Sequence, residues 1–506
     1  MSERQIIIIG AGLAGLATGC YAQMNGYQSH IFEHHIHPGG VAAAWVRGDY
    51  LIDGGIHFVM SHKPGTGLYE LYRQLGIVPA VQFKDLTTYG RFVDESSGHR
   101  VTLTKDLDRL ARDLKALAPA DTAIIDELIA GARAFQGTDM SEMGMSKPPE
   151  LMSPLDQVKD MWAMRRLFKY VFGKYGQPVA GYVRAVQAPW LQRCIESLFM
   201  PDVPVYFVFM LLGLLADGQI GLIDGSCADF VRAVEERYRS LGGEVTYNAR
   251  VEEILVEDDR AVGVRLADGA PVPLEHRAEA VVSAADGYST IFKMLGGRYV
   301  NDKIKKRYQT WPRFRPLLMA NYGVAREFRG EPCFATIRLE RPIAIGNHEA
   351  EGALVRLFNY SDKFAPPGKT VIQVELETEW EYWNDLCRDD RACYDAEKER
   401  LAKEILERLE AYYPGISSEV EETDVSTPYT WWRYTLNDRG AWEGWLMTPS
   451  AIRKLIERTL PGLSNFYMAG QWVTPGGGVP AVLYTGRQAV QLLCRQDGKP
   501  FVTDAG

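Results

Sequence analysis

Gln5-Ile6-Ile7-Ile8-Ile9-Gly10-Ala11-Gly12-Leu13-Ala14-Gly15 decides the fold. The run 5–9 is β-branched and does not alternate with polar residues, which predicts a strand buried on both faces of a parallel sheet. Gly10, Gly12 and Gly15 follow at once, and a helical pattern continues through Leu16, Ala17 and Tyr21 to Asn25-Gly26, a helix-ending signal. Ser29-His30-Ile31-Phe32 predicts a second strand, which runs into Glu33. Strand, glycine turn, helix, strand and acid is the layout of a dinucleotide site. Gly10 would make the tight turn, Gly12 would let backbone approach a pyrophosphate, and Gly15 would let helix and sheet pack closely. The helix N-terminus would face the phosphates, and Glu33 would take the ribose hydroxyls. A glycine-rich turn in an ordinary α/β unit is the plainer reading; the complete surroundings favour the dinucleotide.

The following residues favour FAD. Pro38-Gly39-Gly40 can bring further backbone amides to a phosphate. Trp45-Val46-Arg47-Gly48-Asp49-Tyr50-Leu51-Ile52-Asp53-Gly54-Gly55-Ile56-His57 follows. With this spacing the chain resembles the phytoene desaturase-related flavoproteins: carotenoid desaturases, carotenoid isomerases and retinol saturase, within the wider amine oxidase class. The far end agrees. Asn465-Phe466-Tyr467-Met468-Ala469-Gly470-Gln471-Trp472-Val473-Thr474-Pro475-Gly476-Gly477-Gly478-Val479-Pro480 resembles the family's terminal flavin-binding motif, and Gly486-Arg487-Gln488-Ala489 follows on a helix. The resemblance implies that Gly470, Gly477, Gly478 and Val479 lie on the flavin and that the backbone of Val251 lies on the adenine. It places Ser283-Ala284-Ala285 near the phosphates; plain sheet core is an equal reading of Ser283. One departure stands out. Bacterial-type carotenoid desaturases usually carry an arginine directly after the Gly-Gly, and here Val41-Ala42-Ala43 stands there. Arg47 is the expected substitute, and the departure points towards the isomerase and saturase-like relatives.

The fold class expected is α/β, a Rossmann-like FAD-binding domain with a discontinuous mixed α+β substrate domain. Residues 1–90, 215–300 and 455–506 form the first, and 91–214 and 301–454 the second, as in the resembling family. In the middle of the FAD domain, 229–241 predicts a helix, 242–248 a strand, and Val251-Glu252-Glu253-Ile254 and 261–266 paired strands, with Asp268-Gly269 as a hairpin turn. Residues 106–117 and 124–135 carry leucines and isoleucines at helical spacing, with Thr104 as candidate N-cap of the first. Strands at 317–324 and 370–377 and a helix at 394–413, ended by Pro414-Gly415, fill the second half. The stretch 137–154, rich in Met, Ser and Pro, predicts a mobile loop.

Composition narrows the function. The chain has 506 residues, 46% hydrophobic and 24% charged, with a net charge of -9. That is a globular composition, and its charge argues against nucleic acid as a partner. Seven cysteines are scattered without a CxxC pair, which predicts a reducing, cytoplasmic compartment and no structural zinc. The N-terminal apolar run reads as the first strand, not a signal peptide. The longest apolar run, 205–215, is too short to span a bilayer, which takes about twenty residues. A buried helix is its default reading. In a lipid-handling flavoenzyme, Phe209 on that helix would face the substrate. Residues 161–175 mix Trp162, Phe168 and Phe172 with Arg165, Arg166, Lys169 and Lys174 and contain no acid. They read as a core helix with a solvated basic face or as a peripheral contact with anionic lipid at the inner face of a membrane.

Flavin does hydride chemistry itself, and the protein supplies orientation, electrostatics and exclusion of water. No Gly-x-Ser-x-Gly elbow, HExxH or zinc-spaced Cys/His set appears. His34, His35 and His37 read as loop residues after the second strand, with no metal expected. His57, after Asp53-Gly54-Gly55, is the candidate catalytic residue, a proton donor or acceptor, or else a hydrogen-bonded structural histidine. Tyr429-Thr430-Trp431-Trp432-Arg433-Tyr434, with Trp442 and Trp445, could wall an apolar pocket, with Trp431 and Trp432 as substrate contacts, or could be core. No second glycine fingerprint is visible for NAD(P)H, so the electron partner is open. The function expected is FAD-dependent change of carbon–carbon unsaturation in an apolar isoprenoid- or carotenoid-like substrate, by desaturation, saturation or isomerisation. An amine oxidase-type enzyme acting on a C–N bond and a flavin- or lipid-binding protein without turnover are the alternatives.

Overall fold

The computed structural model describes residues 4–139, 141 and 145–504. Five parallel strands form one sheet, in the order Glu244–Thr246, Tyr27–Phe32, Arg4–Ile9, Ala280–Ser283, Phe466–Met468. The unalternated isoleucines have a simple cause. Ile6 and Ile8 pack into the core under the helices Leu13–Met24, Cys227–Ser240 and Gly478–Gln496, while Ile7 and Ile9 pack into a second core on the opposite face. The antiparallel hairpin Val251–Glu257 and Arg260–Leu266 covers that opposite face. Its turn is Asp258-Asp259, both at positive φ; Asp268-Gly269 instead leads to a third strand, Glu275–Arg277.

A second, seven-stranded sheet runs in the order Val420–Ser426, Leu317–Val324, Thr370–Glu377, His348–Leu357, Phe334–Ile345, Thr88–Asp94, Arg100–Thr104. Its pairings are antiparallel except that Phe334–Ile345 meets Thr88–Asp94 in parallel. Strand alternation sorts its side chains. Leu318, Ala320, Ile372, Val374 and Leu376 pack beneath the helix Arg391–Leu409, whereas Leu317, Met319, Glu375 and Glu377 face the other way, into a cavity. A helical layer closes the molecule. Leu107–Leu117 is capped by Asp106, which accepts from the Arg109 amide, so Thr104 is not its N-cap. Thr122–Phe135 crosses Val205–Ala216 at close range: a Cβ on Gly213 would lie 2.7 Å from the Ala132 carbonyl oxygen. Of the expected loop 137–154, residues 140 and 142–144 lie outside the described residues; the capping box of Ser153 and Asp156 ends it and starts the helix Pro154–Ala163.

The chain crosses between the two sheets repeatedly. Thr88–Asp94 leaves the FAD-side segments for the seven-stranded sheet, and Val205–Ala216 runs across the boundary expected at 215. A small antiparallel sheet, Val59–Met60, Ile220–Ile223 and Phe83–Asp85, ties the crossings together.

Candidate active site

One cavity of about 1720 Å3 extends from the C-terminal ends of the parallel strands to the inner face of the seven-stranded sheet. A pocket for one small ligand is usually about 300–1,000 Å3, so this one has room for a dinucleotide and a second molecule.

At its nucleotide end, Gly10 has φ +95, a conformation that side chains rarely adopt, and its amide donates to the Phe32 carbonyl at 2.8 Å. A Cβ on Gly15 would sit 1.9 Å from the Gly10 carbonyl oxygen, so Gly15 serves helix–strand packing and does not line the cavity. Gly12 is different. It precedes a helix whose first turn has no side-chain cap, and nothing in the protein lies closer than 3.9 Å to the position of its Cβ. A side chain there would occupy the cavity itself. Gly39 donates to the Ala11 carbonyl at 2.9 Å, which brings Gly39 and Gly40 beside Gly12. Glu33 ends the second strand in the wall; its Oε2 accepts from the Ala11 amide at 2.6 Å and its Oε1 from His35 at 2.7 Å. Burial raises its pKa and these amides oppose the rise. The His34 amide also acts on the carboxylate, which still keeps acceptor capacity for a hydroxyl. Val251 lines the same end. Arg47 does not: it sits exposed on a hairpin, its Nε 2.7 Å from Asp424. Arg250, next to Val251 in the chain, and Lys293 are among the cations in the cavity wall. Uncapped helix amides, open glycine backbone and a buried acid with spare acceptors fit FAD.

Further along, Gly470, Gly477, Gly478 and Val479 line the wall. Gly476, Gly477 and Gly478 have φ of +101, +50 and +71, and the Gly476 amide is pinned to the Trp445 carbonyl at 2.8 Å. This turn delivers the N-terminus of Gly478–Gln496, again without a side-chain cap, to the cavity. Glu443 stands on the turn, its side chain 3.3–3.4 Å from the position of a Cβ on Gly477. Among the described residues it has no hydrogen-bond or ion-pair partner, and burial alone pushes its pKa up to about 8.

His57 lies in the wall with its Nε2 2.9 and 3.0 Å from the two Glu375 oxygens. A carboxylate only accepts, so Nε2–H donates and Nδ1 is left for the cavity. Glu375 is 4% and Arg356 3% exposed, with 3.5 Å between Nη1 and Oε1. Burial opposes the Glu375 charge, but His57 and Arg356 outweigh it and hold the carboxyl below its usual range. Arg356 also donates to Gln373 at 2.8 Å, and Gln373 donates to the Asp53 carbonyl at 2.9 Å. The seven-stranded sheet thus grips the turn that carries His57.

The remaining expected contacts divide. Trp432 lines the cavity. Trp431 does not; it is buried against Leu317 and Met319, and its ring fills the space over Gly54. Phe209 points away from the cavity and packs on Gly131, Tyr170 and Tyr175, because its face of the helix meets Thr122–Phe135. Tyr206, Phe207 and Met210 of the same helix are in the wall. Glu375, Arg356 and Glu443 were not singled out by the sequence reading. A signal existed for one of them: Glu375, with Gln373 two residues before it and Glu377 two after, is polar on alternate positions of its strand, which marks one face for polar work.

Comparison with known proteins agrees with this geometry. The family model for flavin-containing amine oxidoreductases matches residues 13–494. A chloroplastic prolycopene isomerase of Arabidopsis thaliana is 24% identical over 99% of this chain and 84% of its own. A neurosporene-forming phytoene desaturase of Rhodobacter capsulatus is 23% identical over 96% of this chain and 93% of its own. Among solved structures, an oxidoreductase of Methanosarcina mazei superposes with a TM-score of 0.62 at 16% identity, covering 96% of this chain and 100% of that one. Putrescine oxidase bound to putrescine gives 0.59 at 15% identity, covering 97% and 99%. These two show the fold. With the family model spanning nearly the whole chain and a cavity whose backbone fits FAD, the chain belongs to the flavin-containing amine oxidoreductase family and is an FAD-dependent oxidoreductase.

Proposed function

We propose that this enzyme changes carbon–carbon unsaturation in an apolar isoprenoid- or carotenoid-like molecule, by desaturation, saturation or isomerisation. The observation that carries the reading is the continuity of the cavity: beyond the glycine turn its wall includes Phe58, Tyr89, Phe92, Phe199, Tyr206, Phe207 and Met210, with charged Arg193, Glu196, Arg338, Glu349 and Glu351 also on the lining. A long apolar molecule is held by shape and buried area. The relatives named prolycopene isomerase and phytoene desaturase support the same class. FAD would be held by Gly10, Gly12, Glu33, Gly39, Gly40, Val251, Gly470, Gly477, Gly478 and Val479, and when bound it supplies hydride chemistry. His57, oriented by Glu375, holds or takes the accompanying proton at Nδ1, and Trp432 contacts substrate. Incubating the yellow protein with carotene isomers and desaturation intermediates, and separating the products by chromatography, tests the reading. Unchanged polyenes with every carotene tried would count against it.

The route of entry belongs to the same proposal. Leu155, Trp162 and Phe172 are 81, 65 and 72% exposed beside Arg165, Arg166 and Lys169, while Met164 and Val171 of the same segment line the cavity. An apolar and basic surface that runs into the cavity wall suits peripheral contact with anionic lipid. No helix among the described residues is long and apolar enough to cross a membrane. Flotation with phosphatidylglycerol vesicles, lost on Trp162→Asp with Phe172→Asp, tests the contact.

A second reading, oxidation of a carbon next to nitrogen, is favoured by one feature, the unpaired carboxyl of Glu443 in the wall, which could face an ammonium group. Oxygen uptake and peroxide release with amines would support it.

A further inference from the structure

Two of the acids in the cavity wall, Glu375 and Glu443, differ in kind. Glu375 is fully engaged by His57 and Arg356. Glu443 is engaged by nothing among the described residues. It stands between Trp442 and the turn Gly476–Gly478, with Leu446 and Met447 of its own loop also in the wall. The cations of the surrounding segments are paired elsewhere: Arg313 with Asp438 at 3.0 Å, Arg315 with Glu377 at 3.7 Å and Arg439 with Glu381 at 2.9 Å. A pure hydrocarbon seated against Glu443 would strip water from the carboxyl and return no hydrogen bond, and stranding a polar group in this way is costly. A ligand bearing an oxygen would satisfy it.

We propose that Glu443 is the specificity-determining residue of the substrate cavity, and that the substrate is an oxygen-bearing isoprenoid whose oxygen accepts a hydrogen bond from the Glu443 carboxyl. The proposal rests on the isoprenoid reading above and narrows it. The isolation of Glu443 supports the donor role: it stands unpartnered in the wall beside the glycine turn, and loss of water around it pushes its pKa up to about 8, the direction a donor needs. A carboxylic acid offers one O–H donor and keeps acceptor capacity, so it matches a carbonyl or a hydroxyl and gives a hydrocarbon nothing.

The test uses the FAD-loaded enzyme and a matched pair of polyenes, β-carotene and its diketone canthaxanthin, with binding read from the polyene absorption band. The wild type is expected to bind canthaxanthin about tenfold tighter, the worth of one good hydrogen bond in a dry site, with a red-shifted band. Glu443→Gln keeps an N–H donor of the same size and should retain most of the preference. Glu443→Leu should lose it and bind β-carotene at least as well as the wild type does. An infrared carbonyl band of a protonated acid, present at pH 7 in the wild type and absent in Glu443→Gln, is the second readout and needs no ligand. Equal binding of both polyenes in wild type and Glu443→Leu would overturn the proposal and leave the isoprenoid reading standing. A shifted flavin spectrum in Glu443→Leu with an unchanged polyene preference would also overturn it, by assigning the carboxyl to the cofactor. Binding of neither polyene, with tight binding of an alkylamine lost in Glu443→Leu, would remove both this proposal and the reading beneath it.

Discussion

Gly12 and Gly15 are three residues apart and do opposite things. Gly12→Val has space for its side chain in the cavity, so the variant should fold with near-normal stability and copurify without FAD. Gly15→Val would force apart the first helix and the first turn and should instead fail as a fold. Absorbance of bound flavin beside a thermal melt separates the two outcomes; full flavin occupancy in Gly12→Val would refute the placement. His57→Gln removes a proton carrier and keeps a polar group of similar reach. Turnover should fall about 10²–10⁴-fold with FAD occupancy unchanged. The carboxyls in the wall set opposite pH dependences of stability. Glu375 is held below its usual range, so its contribution is present above the carboxylate range of the unfolded chain and is lost as pH falls through its lower folded pKa. Glu443 is held near 8, so the native state binds the extra proton between about pH 5 and 8, and stability declines across that window as pH rises. Denaturant melts from pH 5 to 9 should show a decline that is smaller in Glu443→Gln, which cannot ionise.

At the scale of elements, the helix Val205–Ala216 shows what patterning conveys and what it omits. Its run of apolar residues announced a buried helix, and the helix is buried. Nearly all its faces are apolar, so nothing in the sequence said which one meets the cavity. Contact with Gly131 on the neighbouring helix turns Phe209 inwards and leaves Phe207 in the wall. Phe209→Ala should therefore cost about 3–5 kcal/mol of stability with little change in KM, while Phe207→Ala should raise KM at little cost in stability. The nucleotide end was legible because its chemistry is local: turn, helix start and acid lie within one βαβ unit. The His57 site was not, because Arg356, Gln373 and Glu375 reach it from strands about three hundred residues away, and pairing across strands leaves only a faint mark in each. Arg47 was misplaced for a related reason. The resemblance implied a cation at the Gly-Gly loop with Arg47 as its substitute, but the hairpin Ala44–Arg47 and Tyr50–Asp53 turns it outwards to Asp424.

The whole molecule is two sheets sharing one cavity, and FAD would span the ends of one and face the other. A ligand that touches both halves and binds only the folded chain raises the melting temperature by mass action. Stripping flavin should lower the melting temperature, FAD should restore it, and NAD or NADP should not. Restoration by NAD would contradict the cofactor assignment.

The strand Phe466–Met468 pairs with Ala280–Ser283, and the glycine turn follows it. On a ribosome this order has a consequence. Everything before residue 466 is made before either feature exists, and until then Ala280–Ser283 presents an unpaired apolar edge, the kind of edge that invites aggregation. With the glycine turn in its proposed role, the nascent chain lacks part of its flavin site as well. Cofactor loading would then wait for that turn to be made, and a cell short of flavin would accumulate empty enzyme.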